Sequence, residues 1–229
     1  MRSRRSEQSA RKGRNGPAGR SGRAMREERS GLERINGAAV RVIGLRGFAA
    51  TTTQEIAKEA GVSEGLIFRY YDTKLDLGQK LFSKHYQEIL ARLRAERDRH
   101  QDPVEGFRCV AMAFFAWYDE DPDVARFLLR THSEFLQSVD DGQGLMDLAS
   151  SGLRDVLGDV VLALFPEDIL SAMVLGAFLQ VAVECMHRQI AGPLAPRMEP
   201  IINAVTAYVR QARPTGLSQK NREQPESKE

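Results

Sequence analysis

Three consecutive threonines, Thr51, Thr52 and Thr53, stand just ahead of a stretch that reads as a short helix. Hydroxyl donors at a helix N-terminus lie beside unpaired backbone N–H groups and the positive end of the helix dipole, a combination that favours a phosphate oxygen. Capping alone explains one threonine and explains three less well. Chemistry of turnover is not legible. The sequence shows no nucleophile with a partnered base, no glycine-rich phosphate loop and no metal-ligand cluster, so no enzyme, cofactor or metal is expected. His85, His100, His132 and His187 lack i,i+4 pairing with one another or with cysteine. Cys109 and Cys185 both fall in apolar helical runs, which predicts free thiols and a reducing, cytoplasmic setting. A second group suits binding. Met112, Phe115, Trp117, Phe135, Met173, Phe178 and Cys185, with His132, Glu134 and Glu184 as polar groups, have the mixture that lines small-molecule sites, although ordinary core explains each residue as well.

These residues need elements to hold them. Residues 53–74 read as two short helices joined at Gly61, with Ile56, Ala57, Ala60, Val62, Ile67 and Tyr70 spaced to pack them at a steep angle. Gly61 falls where the first helix must stop in a left-handed conformation, and Ser63 is expected to cap the second with its side-chain oxygen. Upstream, Leu32, Ile35, Ala39, Val42 and Ile43 give a helix from about Glu27 to Arg46 one apolar face. Gly47 ends it. Phe48 is expected to plug the space between this helix and the two motif helices.

The lead-in Gly47-Phe48 and Thr51-Thr52, the core Ile56-Ala57, Ala60-Gly61-Val62-Ser63 and the exit Tyr70-Tyr71, Lys74 resemble the TetR family of bacterial transcriptional regulators over about residues 30–82. The resemblance implies that the second motif helix enters a major groove. Its outer positions are Ser63, Glu64, Gly65, Leu66, Phe68 and Arg69. It also implies phosphate contacts from Tyr70 and Lys74, with Gln54 and Arg69 reading base edges or phosphates. Glu64, Leu66 and Phe68 depart from the family's usual Lys, small polar and Tyr. A carboxylate accepts from a cytosine amino group and an apolar side chain touches a thymine methyl, so the departures bear on sequence choice. For Tyr71, core packing is the preferred reading.

With 42% apolar residues in 229, the chain is long enough for a real core. Residues 1–26 carry nine Lys or Arg against Glu7 alone, a net of +8 that leaves the rest at −6. Such a segment is expected to be a disordered basic arm, lying along phosphates or simply solvated. No secretion signal is visible in it. Residues 27–74 form the expected DNA-binding head and 75–212 a helical ligand-binding and dimerisation body, with 213–229 a disordered tail. A long helix from about Lys74 to Arg99 connects the two. Helices follow over 103–118, 122–139, 145–165, 169–186 and 198–209, and no strand alternation or repeat appears. The fold class expected is all-α. Residues 169–186 are apolar on nearly all sides yet too short to span a bilayer, so a second copy of the chain is the economical cover. The family resemblance implies a homodimer through 166–190 and 197–210, with Ile201, Ile202, Val205, Tyr208 and Val209 on one stripe. It further implies operator double-stranded DNA as partner and a small, largely apolar effector that releases a repressor from it.

Overall fold

The computed structural model describes residues 17–139, 144–162 and 166–212, all-α throughout. The helices are α1 (Pro17–Arg46), α2 (Thr53–Ala60), α3 (Glu64–Ile67), α4 (Lys74–Asp98), α5 (Pro103–Glu120), α6 (Pro122–Phe135), α7 (Leu145–Leu162), α8 (Glu167–Met186) and α9 (Ala195–Ala212). The expected tail 213–229 and the loop 140–143 lie outside the described residues, as do residues 1–16 of the arm. The rest of the arm departs from expectation. Residues 17–26 continue α1 N-terminally, because Pro17 suits the first helical position and a helix already formed propagates at one bond per added residue.

Caps set the boundaries of the body helices. The Thr73 hydroxyl accepts from Asp76 N–H at 3.0 Å and opens α4. Asp102 and Asp121 accept from Val104 N–H (3.2 Å) and Val124 N–H (3.1 Å), each followed by a proline in the first turn of α5 and α6. Asp119 reaches across sequence, accepting from Leu194 N–H (2.7 Å) and Ala195 N–H (2.8 Å), so the last turn of α5 caps the start of α9. Each satisfies donors that a helix start leaves unpaired.

One continuous core runs through head and body. Ile35, Ala38, Ala39 and Ile43 of α1 pack with Ile56, Ala57, Ala60, Ile67 and Tyr71, all buried. Tyr71 is core as preferred, its hydroxyl donating to Asn36 Oδ1 at 2.6 Å. Phe48 lies elsewhere than expected. It stacks edge-on with Phe135 of α6 (4.8 Å between ring centres) and covers Gly78 of α4, where an added Cβ would stand 2.8 Å from both rings. Phe48 therefore locks the head onto the body, and only glycine lets α4 approach so closely.

The apolar stretch of α8 is 20 residues, because the helix starts at Glu167 rather than Ile169, and by length and composition it is long enough to cross a membrane. Only Ser171 and Ala182 of it are buried. Ile169 and Met173 stand 55% and 65% exposed, and on α9 Ile201, Val205 and Tyr208 are 55%, 49% and 72% exposed. Ile202 is the exception within the expected stripe. It is 3% exposed and belongs to the core of its own chain, because one residue step carries it about 100° around α9 from exposed Ile201.

Candidate nucleic-acid interface and effector cavity

Gly61 takes φ +64° and ends α2, with Val62 N–H donating to Ala57 carbonyl at 3.0 Å. That turn sets α3 across α2. Ion pairs from Arg41 to Glu59 (3.2 Å) and from Arg46 to Glu55 tie both ends of α2 to α1.

The three threonines turn out to have three separate structural jobs. Thr51 is buried and donates to Gly47 carbonyl at 2.8 Å, so it is withdrawn from any phosphate. Thr52 caps α2, accepting from Glu55 N–H while the Glu55 carboxylate accepts from Thr52 N–H at 2.9 Å. That reciprocal box holds the Glu55 carboxyl below its usual range, with Arg46 adding to it. Thr53 donates to the Glu64 carboxylate, joining the starts of α2 and α3. Ser63 occupies the cap position of α3 but makes no side-chain cap bond; its carbonyl accepts from Leu66 N–H at 3.0 Å instead. In a four-residue helix the backbone turn alone closes the N-terminus.

Lys74 also departs from expectation. Its ammonium donates to the carbonyls of Phe48 (3.0 Å) and Thr51 (2.8 Å) and lies 4.4 Å over the Phe48 ring. Two of its three donors are thus spent on the 48–51 loop. Leu66 turns toward α1, its Cδ2 3.4 Å from where a Cβ on Gly31 would stand, so it packs rather than projects. Gln54, Ser63, Glu64, Gly65, Phe68 and Arg69 remain on the exposed side of the motif, Phe68 at 48% exposure. Tyr70 is half-buried at its edge.

In the body, a cavity of about 550 Å³ opens where the end of α4 meets α5, α7 and α8. Phe107, Val110, Phe114, Leu148, Leu175 and Phe178 give it apolar walls, while Arg97, His100, Gln101, Ser151 and Asp155 supply polar groups. Arg97 bridges the space between α4 and α7, donating to Ser151 Oγ at 2.7 Å and pairing with Asp98 at 3.1 Å.

Residues 35–81 match the model of the bacterial regulatory proteins of the tetR family. The head of the chain is therefore similar to the DNA-binding part of that family. An uncharacterized HTH-type transcriptional regulator of Bacillus subtilis, YvkB, is 45% identical over 53 residues, which are 23% of this chain and 28% of YvkB. The transcriptional activator FasR of Mycolicibacterium smegmatis is 31% identical over 103 residues, 45% of this chain and 46% of FasR. The chain thus spans less than half the length of both relatives. The fold extends further than the sequence likeness. The structure of the regulator FadR from Bacillus subtilis in complex with stearoyl-CoA superposes with a TM-score of 0.59 at 19% identity, covering 78% of this chain and 97% of that one.

Only Phe178 of the expected effector residues lines the cavity. Phe115 and Phe135 are closed into the core. Met112 and Trp117 are half-buried against it, and Trp117 touches the cavity wall indirectly through Phe114, 6.0 Å between rings. Met173 faces outward, and Glu184 accepts from Gln180 at 2.5 Å on α8. His132 sits between α4 and α6 beside Phe82 and Tyr86, where burial pushes its pKa down. Large residues of the most apolar runs fill the core, and the cavity forms where small ones such as Gly106, Ala149 and Gly152 leave a gap. Residue size at facing positions was the missed signal. Also missed was a juxtaposition of Glu96, His100 and Cys109, whose ligand atoms lie within 4.8 Å of one another. Glu96 and His100 stand i,i+4 in the sequence, a carboxylate–imidazole spacing that was the available signal.

Proposed function

We propose that this regulator is a homodimeric repressor that grips a palindromic operator with two helix-turn-helix heads and releases it when a small, largely apolar molecule fills the cavity between α4, α5, α7 and α8. The cavity carries the reading: its volume, apolar walls and polar group at Arg97 suit an acyl chain with an anionic or carbonyl end. The stearoyl-CoA complex of the structurally similar Bacillus subtilis FadR supports that ligand class. The groove-facing set is Gln54, Ser63, Glu64, Gly65, Phe68 and Arg69, with Tyr70 on a phosphate, and the protein acts in the cytoplasm, where the DNA is.

The exposed apolar residues of α8 and α9 support a seam with a second copy, and two heads on one duplex call for half-sites about one helical turn apart. Capture of genomic fragments by the purified protein, followed by footprinting, tests this. Two protected half-sites related by a dyad are expected. A single asymmetric footprint overturns the dimeric reading.

A further inference from the structure

We propose that Glu96, His100 and Cys109 form a transition-metal site that clasps the end of α4 to the second turn of α5, independent of the effector reading. One carboxylate oxygen, one imidazole nitrogen and one sulfur lie within 4.8 Å of one another, and His100 Nε2 is already 3.6 Å from Glu96 Oε1. Tetrahedral coordination at the usual metal–oxygen, metal–nitrogen and metal–sulfur lengths requires ligand separations of roughly 3.4–3.7 Å. The closure needed is about an ångström. All three side chains are half-buried, Glu96 on α4 and Cys109 on α5, two helices that are packed together, and His100 two residues beyond the end of α4.

Burial and the nearby carboxylates push the Cys109 thiol above its usual range, so the metal itself must drive off the thiol proton. Glu96 Oε2 is held by Arg99 at 2.6 Å, which orients the carboxylate and leaves Oε1 for the metal. Arg108 Nη2 lies 3.5 Å from the Cys109 sulfur, placing a cation beside the charge that develops when the thiol loses its proton to solvent. The Cys109 thiol donates to the Glu105 carboxylate at 3.5 Å, a contact given up when the sulfur binds a metal, while Arg108 and Arg210 hold that carboxylate at 2.6 and 2.9 Å and keep it from serving as fourth ligand. Water fills the fourth position. Mixed sulfur, nitrogen and oxygen donors select zinc or a similar borderline ion over magnesium or calcium. His100 also lines the effector cavity, so the ion shares a wall with it.

Cobalt(II) is the probe, used with untagged, chelator-stripped full-length protein under reducing conditions. Binding of one equivalent per chain with ligand-field bands and a near-ultraviolet thiolate-to-cobalt band is expected, with zinc displacing both. Cys109→Ser is expected to remove the thiolate band and His100→Ala to weaken cobalt binding at least about 100-fold, while Cys185→Ser leaves both unchanged; circular dichroism confirms that each variant folds. A thiolate band absent from the parent protein, or one that persists in Cys109→Ser, overturns the proposal.

Discussion

Lys74 shows how a side chain's type and position leave its job undetermined. Its place in the motif implied a phosphate contact, yet its ammonium closes the 48–51 loop from inside, through two carbonyls and the Phe48 ring. Hydrogen bonds to a charged group contribute about 1.5–3 kcal/mol each when their partners are desolvated, and this group is partly buried. Lys74→Ala is therefore expected to lower the melting temperature by several degrees and to weaken operator and scrambled DNA alike, because the loop that positions α2 loosens. Calorimetry beside binding on both duplexes checks it; an unchanged melting temperature with weaker DNA binding restores the phosphate role. The threonines teach the same lesson. Their hydroxyls were visible in sequence, whereas their partners at Gly47, Glu55 and Glu64 depend on where the backbone turns.

Elements bounded by local signals were legible, and elements that depend on several facing surfaces were not. Thr73, Asp102-Pro103 and Asp121-Pro122 mark helix starts with residues that act within one turn, so the sequence places α4, α5 and α6 closely. The cavity in the body needs four helices to converge, and no stretch of sequence records which gaps stay open. The contact between α4 and α6 was likewise hidden. His132 lies there with Phe82 and Tyr86, its pKa lowered by burial. In the unfolded chain an ordinary histidine binds a proton near pH 6.5, while the folded chain resists it. Below that value the unfolded state therefore holds more protons, and stability falls with pH, at most about 1.4 kcal/mol per unit from this group. His132→Gln is expected to flatten the loss of melting temperature between pH 6.5 and 5. An identical slope in the variant assigns the loss to other groups.

At the scale of the molecule, two surfaces must work together: heads that meet DNA and an apolar face on α8 and α9 that needs cover. Burying the side chains of Ile169, Met173, Ile201, Val205 and Tyr208 is worth about 1.5–3 kcal/mol for each fully covered large aliphatic, enough to favour a second copy once association entropy is met. Val205→Glu with Tyr208→Glu is expected to give folded monomers that lose operator binding. Ile202→Glu, by contrast, puts a charge into the chain's own core and is expected to unfold it. Sedimentation together with circular dichroism separates the two; a dimer that survives the double variant moves the interface. In the proposed reading an effector acts on the heads through α4, which runs from the loop anchored by Lys74 to the cavity wall at Leu93 and Arg97. A ligand shifts that equilibrium only by the amount it prefers the released state. The decisive measurement is operator affinity against long-chain acyl compounds in the parent protein and in Val110→Trp, which fills the cavity while leaving the heads intact. Release of the parent at least tenfold, absent in Val110→Trp although that variant still binds operator, is the predicted result. Equal release of both proteins, or saturation of the cavity followed by Trp117 fluorescence with no change in operator affinity, contradicts it.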